Sequence, residues 1–408
     1  MHIECTNGSP TVDTLDHIPP LPVFVNYGTT RINPSGKAML QERDELGIYH
    51  ALRLHDHLHQ INLRLSYSIS PKILVLMDEL FPLLERLSLS FLEQNKIPLI
   101  LPKAFLAPNL RHLGLSGIGL PKRLRLLTSA VSLVTLTLGN IQTSSYFRPR
   151  LLAARLQSLT QLQELSIDFS IPIPRPSAEG KLLGEQEAPV TLPSLKILRF
   201  KGVGTYLESL VAQITAPLLE CLGITLFNQI SLALPHLFHL INHTKGSKRP
   251  VARVNFLRDW VSVTTADHGL FPRGTFFFRV MCAQLDWQID CAAQICNALI
   301  PALSGVEELW LECPYDFRIP TALQDGEIDG TTWLELLRPF VSVKELHIYP
   351  ALTEEVSRAL QLQVEEVGLN PGFLPNLQSI NARDNLFTTF IDTCQVVGRS
   401  VRFSQRLY

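Results

Sequence analysis

The chain has 408 residues and a formal net charge of −1, so no excess of positive charge is available for the extended phosphate-binding surface that a nucleic-acid partner needs. Its seven cysteines are odd in number and irregular in spacing, which excludes a secreted disulfide framework and suits reduced thiols in a cytoplasmic or nuclear protein. No basic start followed by an apolar run opens the chain, and no window of 18 or more uninterrupted apolar residues exists, so neither a signal peptide nor a membrane span is expected.

Residues 1–20 are polar and broken by Pro10, Pro19 and Pro20, and are expected to be poorly ordered. Leu21–Tyr27 has the β-branched and aromatic content of a strand. Apolar spacing from Gly36 to about Leu54 predicts a helix, with Ser35 placed to cap it. His59–Leu65 then alternates polar and apolar residues, as a half-buried strand does.

From here one phrase recurs. Leu84–Leu89, Leu110–Leu115 and Leu133–Leu138 all read L-x-x-L-x-L. Their middle leucines continue as Leu87, Leu113, Leu136, Leu165, Leu198 and Leu222, separated by 26, 23, 29, 33 and 24 residues. Val254, Leu309 and Leu346 carry the pattern later. A period in the twenties with this phrase is the signature of a leucine-rich repeat. One unit cannot bury its own apolar edge, but stacked units bury it against each other. The expected fold is therefore α/β: an irregular leucine-rich-repeat solenoid over residues 21–400, with a parallel concave sheet and helical or irregular crossovers outside. Crossovers are expected to be helical near residues 122–127, 150–159, 206–215, 291–303, 332–340 and 353–367. Two stretches break the rhythm. Residues 172–193 hold five prolines and read as a loop, and residues 245–290 form an irregular section with Thr275–Met281 as a buried strand. Residues 401–408 are left as a tail.

Three clusters invite a chemical reading. His55, His57 and His59 could share a face and bind a divalent metal, although a histidine beside a helix C-terminus is favoured by the helix dipole in any case. Cys282, Cys291 and Cys296 lack the spacing of a zinc site and suit small buried hydrophobes. Gly114–Gly119 matches neither a nucleophile elbow nor a phosphate loop and reads as the turn leaving a strand. No catalytic residue, cofactor or metal ligand is assigned. What remains is the face of the sheet between the leucines. It offers Arg86 and Ser88 early, and Glu308, Trp310, Glu312, Glu345, His347 and Tyr349 late. Two aromatics among carboxylates on an open sheet face have the composition of a protein-binding hot spot for a basic partner.

Leu21–Gly28, Leu80–Leu87, Pro108–Leu113, Tyr206–Ile214 and Phe390–Arg399 together resemble the leucine-rich-repeat region of the divergent F-box proteins of mushroom-forming fungi. The resemblance implies a substrate-holding repeat surface in a ubiquitin-ligase receptor, which docks on a Skp-type adaptor through an F-box. Nothing before Leu21 reads as an F-box, so the substrate-like binding is the part that carries over. The expected function is a non-enzymatic protein-interaction module with an unknown protein partner. Competing readings are a metal-dependent enzyme built on His55, His57 and His59, and a truncated product without independent function.

Overall fold

The computed structural model describes residues 2–8, 21–28, 31–32, 38–39, 42–66, 69–91, 99–121, 125–142, 145–170, 189–227, 232–243, 250–265, 276–282, 284–313, 330–367 and 373–405. By their contacts they divide into two compact units, described in turn. Unit 1 comprises residues 1–202 with 209–219, and unit 2 comprises residues 203–208 with 220–408. Each is α/β and is built on a large, mostly parallel run of eight strands.

In unit 1 the strands are β1 (Ile3–Thr6), β2 (Val23–Gly28), β3 (Leu58–Leu65), β4 (Arg86–Phe91), β5 (His112–Ser116), β6 (Thr135–Ile141), β7 (Glu164–Phe169) and β8 (Ile197–Gly202). They lie in chain order and every pairing is parallel. The repeated phrase explains this layout. Successive side chains on a strand face opposite ways, so alternate residues of β5 and β7 are buried and half-exposed in turn. The register aligns Leu87, Leu113, Leu136, Leu165 and Leu198 in one ladder. All five are buried, and so are Leu84, Leu110, Leu133, Leu162 and Leu195, which stand three residues upstream.

Each upstream leucine also closes a turn. The N–H groups of Leu110, Leu133, Leu162 and Leu195 donate to the carbonyls of Ala107, Ala130, Leu159 and Leu192. One and two residues later the chain is keyed to its neighbour. The Glu85 carbonyl accepts from the N–H groups of both Arg111 and His112, and the Arg111 carbonyl accepts from both Val134 and Thr135. The Val134 carbonyl holds Gln163 and Glu164 in the same way, and the Gln163 carbonyl holds Lys196 and Ile197. The entries of β5 to β8 are thus each fixed by a shared acceptor just upstream of the strand before.

Unit 2 uses the same device with an interruption. Its strands are β9 (Cys221–Phe227), β10 (Val251–Leu257), β11 (Trp260–Thr264), β12 (Phe276–Met281), β13 (Glu308–Glu312), β14 (Glu345–Ile348), β15 (Ser379–Ala382) and β16 (Arg402–Gln405). Their spatial order is β9-β12-β11-β10-β13-β14-β15-β16. β11 runs antiparallel to both its neighbours, while the other pairings are parallel. The section expected to be irregular is therefore a short antiparallel meander set into a parallel sheet. Arg258 and Asp259 make its first, two-residue turn, so that Leu257 lies opposite Trp260. The buried Gln288 clamps it from below, donating to the carbonyls of Leu257 at 2.7 Å and Cys282 at 2.8 Å. Beyond it the shared acceptors resume: Pro250 holds Glu307 and Glu308, Glu307 holds Lys344 and Glu345, and Lys344 holds Gln378 and Ser379.

The helices stand near the expected crossovers, at Glu42–Arg53, Arg125–Ser129, Pro149–Leu156, Gly204–Val211, Leu285–Ala298, Ile300–Leu303, Gly330–Leu337 and Thr353–Val367. The ends of the chain differ from expectation. Residues 3–6, read as poorly ordered, pair with Val23–Asn26 and bury Cys5. Asn7 then exchanges two hydrogen bonds with the backbone of Gly28, at 2.8 and 2.9 Å, and fastens the segment. Polarity misled here because an edge strand needs only its backbone partners and one buried side chain. Residues 9–20 and the prolines of 172–176 lie outside the described residues, while Val190–Thr191 pairs with Ile214–Thr215. At the other end Arg402–Gln405, read as part of a tail, pairs with β15.

Candidate binding face

The late cluster sits on the half-exposed face of unit 2. The parallel register aligns Arg253 of β10, Trp310 of β13, His347 of β14 and Asn381 of β15 in one row. Neighbouring strands are about 4.8 Å apart, so flat side chains in such a row meet face to face. The rings of Trp310 and His347 stack at 4.0 Å between centroids and 9° between planes. The Arg253 guanidinium covers the indole at 4.7 Å and pairs with Glu312. Trp310 Nε1 donates to Glu308 Oε1 at 2.6 Å. His347 Nε2 stands 3.3 Å from Glu308 and 3.4 Å from Glu345. Tyr349 is half-buried just past β14, with its backbone N–H donating to the Leu311 carbonyl.

One expectation is corrected by this geometry. His347, read as free to recognise a partner, is only 2 % exposed. Its cross-strand neighbour Trp310 lies on it, so it serves as the floor of the indole. Trp310 is half-buried between histidine and arginine, and Glu345 is the most open carboxylate of the group, at 56 % side-chain exposure. The cluster is a rigid stack with three carboxylates around one arginine and one histidine.

The meander adds a second group that the sequence reading missed. Arg279 of β12 lies on the same face, one row over from Arg253, aligned through Ser262 and Asn255 with Glu312. Its guanidinium lies 3.9 Å from the Trp260 ring and 4.9 Å from the Phe277 ring. The signal was alternation. In Val251–Leu257 the pattern singles out Arg253 and Asn255, but the three phenylalanines before Arg279 show no alternation that would place it until its pairing is known.

Arg86 and Ser88 belong to unit 1 and are exposed there. They line an open trough of about 350 Å³ with Gln60, Asn62, His112 and Gly114. The trough follows from small residues in one register row: Ser88, Gly114, Thr137 and Ser166. His112 Nδ1 lies 3.2 Å from Thr135 Oγ1. Partial burial lowers the His112 pKa, and the charges of Arg86 and Arg111 lower it further. At the far side of this face Glu164 pairs with Arg199, and Asp168 with Lys201 at 3.2 Å.

The remaining candidates do not assemble. His55 Nδ1 contacts Asp56 at 3.0 Å, and His59 Nδ1 lies 3.1 Å from the His57 carbonyl. Among the described residues no group of three His, Cys, Asp or Glu side chains is placed to hold a metal ion. All seven cysteines are buried. Cys282 and Cys291 are hydrogen-bonded to each other, which raises the Cys291 pKa and lowers that of Cys282. Gly117, with φ of +75°, makes the turn expected after β5. No helix among the described residues is long and apolar enough to cross a membrane. The sequence matches no known protein-family model and no curated protein.

Proposed function

We propose that the chain is a non-enzymatic protein-interaction module of the leucine-rich-repeat type, acting in the cytoplasm or nucleus. The observation that carries this is the stack of Arg253, Trp310 and His347 on a half-exposed sheet face, edged by Glu308, Glu312 and Glu345. A large aromatic whose orientation is fixed before binding loses little entropy on contact. Aromatic anchors of this kind dominate binding energy when a partner covers them. The surrounding carboxylates select a partner that brings a basic group. The resemblance to the repeat region of fungal F-box proteins supports a substrate-receptor role, with a Skp-type adaptor as a second partner.

The test is affinity capture with mass spectrometry on the full chain, followed by affinity measurement for a recovered partner. The variant Trp310→Ala/Tyr349→Ala is expected to weaken binding by tenfold or more, the loss of a hot-spot residue. An unchanged affinity would remove this patch from the interface. Recovery of a Skp-type adaptor would establish the receptor role; partners recovered without it would limit the reading to binding alone.

A further inference from the structure

The basic side chains on the two sheet faces are mostly neutralised where they stand. Arg253 pairs with Glu312, Arg199 with Glu164, and Lys201 with Asp168. Arg279 is different. It is half-buried, its contacts are the rings of Trp260 and Phe277, and among the described residues no carboxylate pairs with it. Its Nε–H is buried with no acceptor among the described residues. Burial alone lowers its pKa, with no opposing charge to offset the loss of water. A guanidinium held on aromatic faces remains charged, since it holds its proton far above neutral pH. Stacking occupies the flat faces of the guanidinium and leaves its terminal N–H donors for the oxygens of an oxyanion.

The location gives this charge a use. Trp260 and Phe277 fix the rotamer, so little side-chain entropy remains to be lost when an anion arrives. Arg279 is aligned through Ser262 of β11 and Asn255 of β10 with Glu312 of β13. Three strand spacings of about 4.8 Å put the two ends about 14 Å apart. Among the described residues, one end of the row therefore offers a cation with no carboxylate beside it, and the other the Glu312 carboxylate next to Trp310, shared with Arg253. An extended chain rising about 3.3 Å per residue covers that distance in about four residues.

We infer that Arg279, flanked by Trp260 and Phe277, is the receptor for an acidic side chain of a protein partner, presented about four residues from a basic one. This rests on the proposed reading of the face as a protein-binding surface. The anion is a carboxylate or a phosphate, which share the geometry that a guanidinium rim recognises.

A displayed library of random linear dodecapeptides, selected in parallel on the full wild-type chain and on Arg279→Gln, tests the inference. Thermal melting of both proteins first checks that the variant is folded, as expected for a half-exposed face. Wild type should enrich peptides with Asp or Glu about four residues from Lys or Arg. Those peptides should bind Arg279→Gln at least tenfold more weakly, the loss of one charge-assisted hydrogen-bonded contact. Arg279→Lys should recover only part of the affinity, because an ammonium keeps the charge but not the planar rim. Resynthesis with phosphoserine in place of the acidic residue separates the two sources: tighter binding assigns phosphate, weaker binding assigns carboxylate. Enrichment without an acidic position, or equal binding by Arg279→Gln, would overturn the inference and leave the Trp310 surface standing. Enrichment on neither protein would overturn both.

Discussion

The sheet faces of the two units share a backbone and differ in what they carry. In unit 1 one register row reads Asn26, Asn62, Ser88, Gly114, Thr137, Ser166, Arg199, and the charges at its far end are held in local pairs with the flanking rows and each other. In unit 2 the row through β12 to β15 reads Phe277, Thr264, Arg253, Trp310, His347, Asn381. The first is a polar trough with little to anchor a partner. The second is a set of flat side chains already packed on one another. The buried ladders beneath are alike: Leu87 to Leu198 in one, Leu309, Leu346 and Ile380 in the other, all buried. The difference teaches that the repeat fixes where a face residue stands, while its chemistry varies independently from unit to unit.

The sharpest break is beneath the faces. Leu136→Ala removes a fully buried side chain from the middle of the unit 1 ladder, and should cost about 2–5 kcal/mol in denaturant unfolding. A loss below 1 kcal/mol would mean that the ladder does not hold the unit together. The faces come next. Trp310→Ala, which unstacks Arg253 and His347, should destabilise by about 1 kcal/mol. Thr137→Ala, at a comparable position in the trough, should stay within about 0.5 kcal/mol. Equal effects would erase the contrast drawn above.

The smallest expected effect concerns protonation. The His112 pKa is lowered in the folded chain, so the unfolded chain binds the proton more readily. The stability tied to neutral His112 is present above the unfolded value near 6.5, and is lost as pH falls from there through the lowered folded value. Thermal melts of wild type and His112→Gln at pH 7.5 and pH 5 should therefore show a smaller acid-induced drop in the variant. An equal drop in both would place the acid sensitivity elsewhere.

Much of the backbone was legible in the sequence, for a physical reason. The leucine ladders and strand-entry turns are local, written within six residues of each phrase, and the helical crossovers show in their apolar spacing. The meander was not legible because its first turn, Arg258-Asp259, lacks the glycine or asparagine that usually marks a two-residue hairpin. The site was half legible. Trp310 and the carboxylates could be placed on a face by alternation alone. That His347 lies under Trp310 depends on a register between strands far apart in the chain, and so does the seat of Arg279 beside Trp260. A face can be read from one strand, whereas a neighbour requires two.

The shared acceptors at the entries of β5 to β8 bear on how such a chain can change over generations. Because Glu85, Arg111, Val134 and Gln163 each grip two successive N–H groups of the next strand, register is set at the entry, whatever the length of the preceding crossover. Insertions and deletions in the crossovers can then accumulate without moving a single face residue. Spacings as unequal as 23 and 33 residues between successive anchors fit that tolerance, and they leave the face residues free to vary while the frame stays in step.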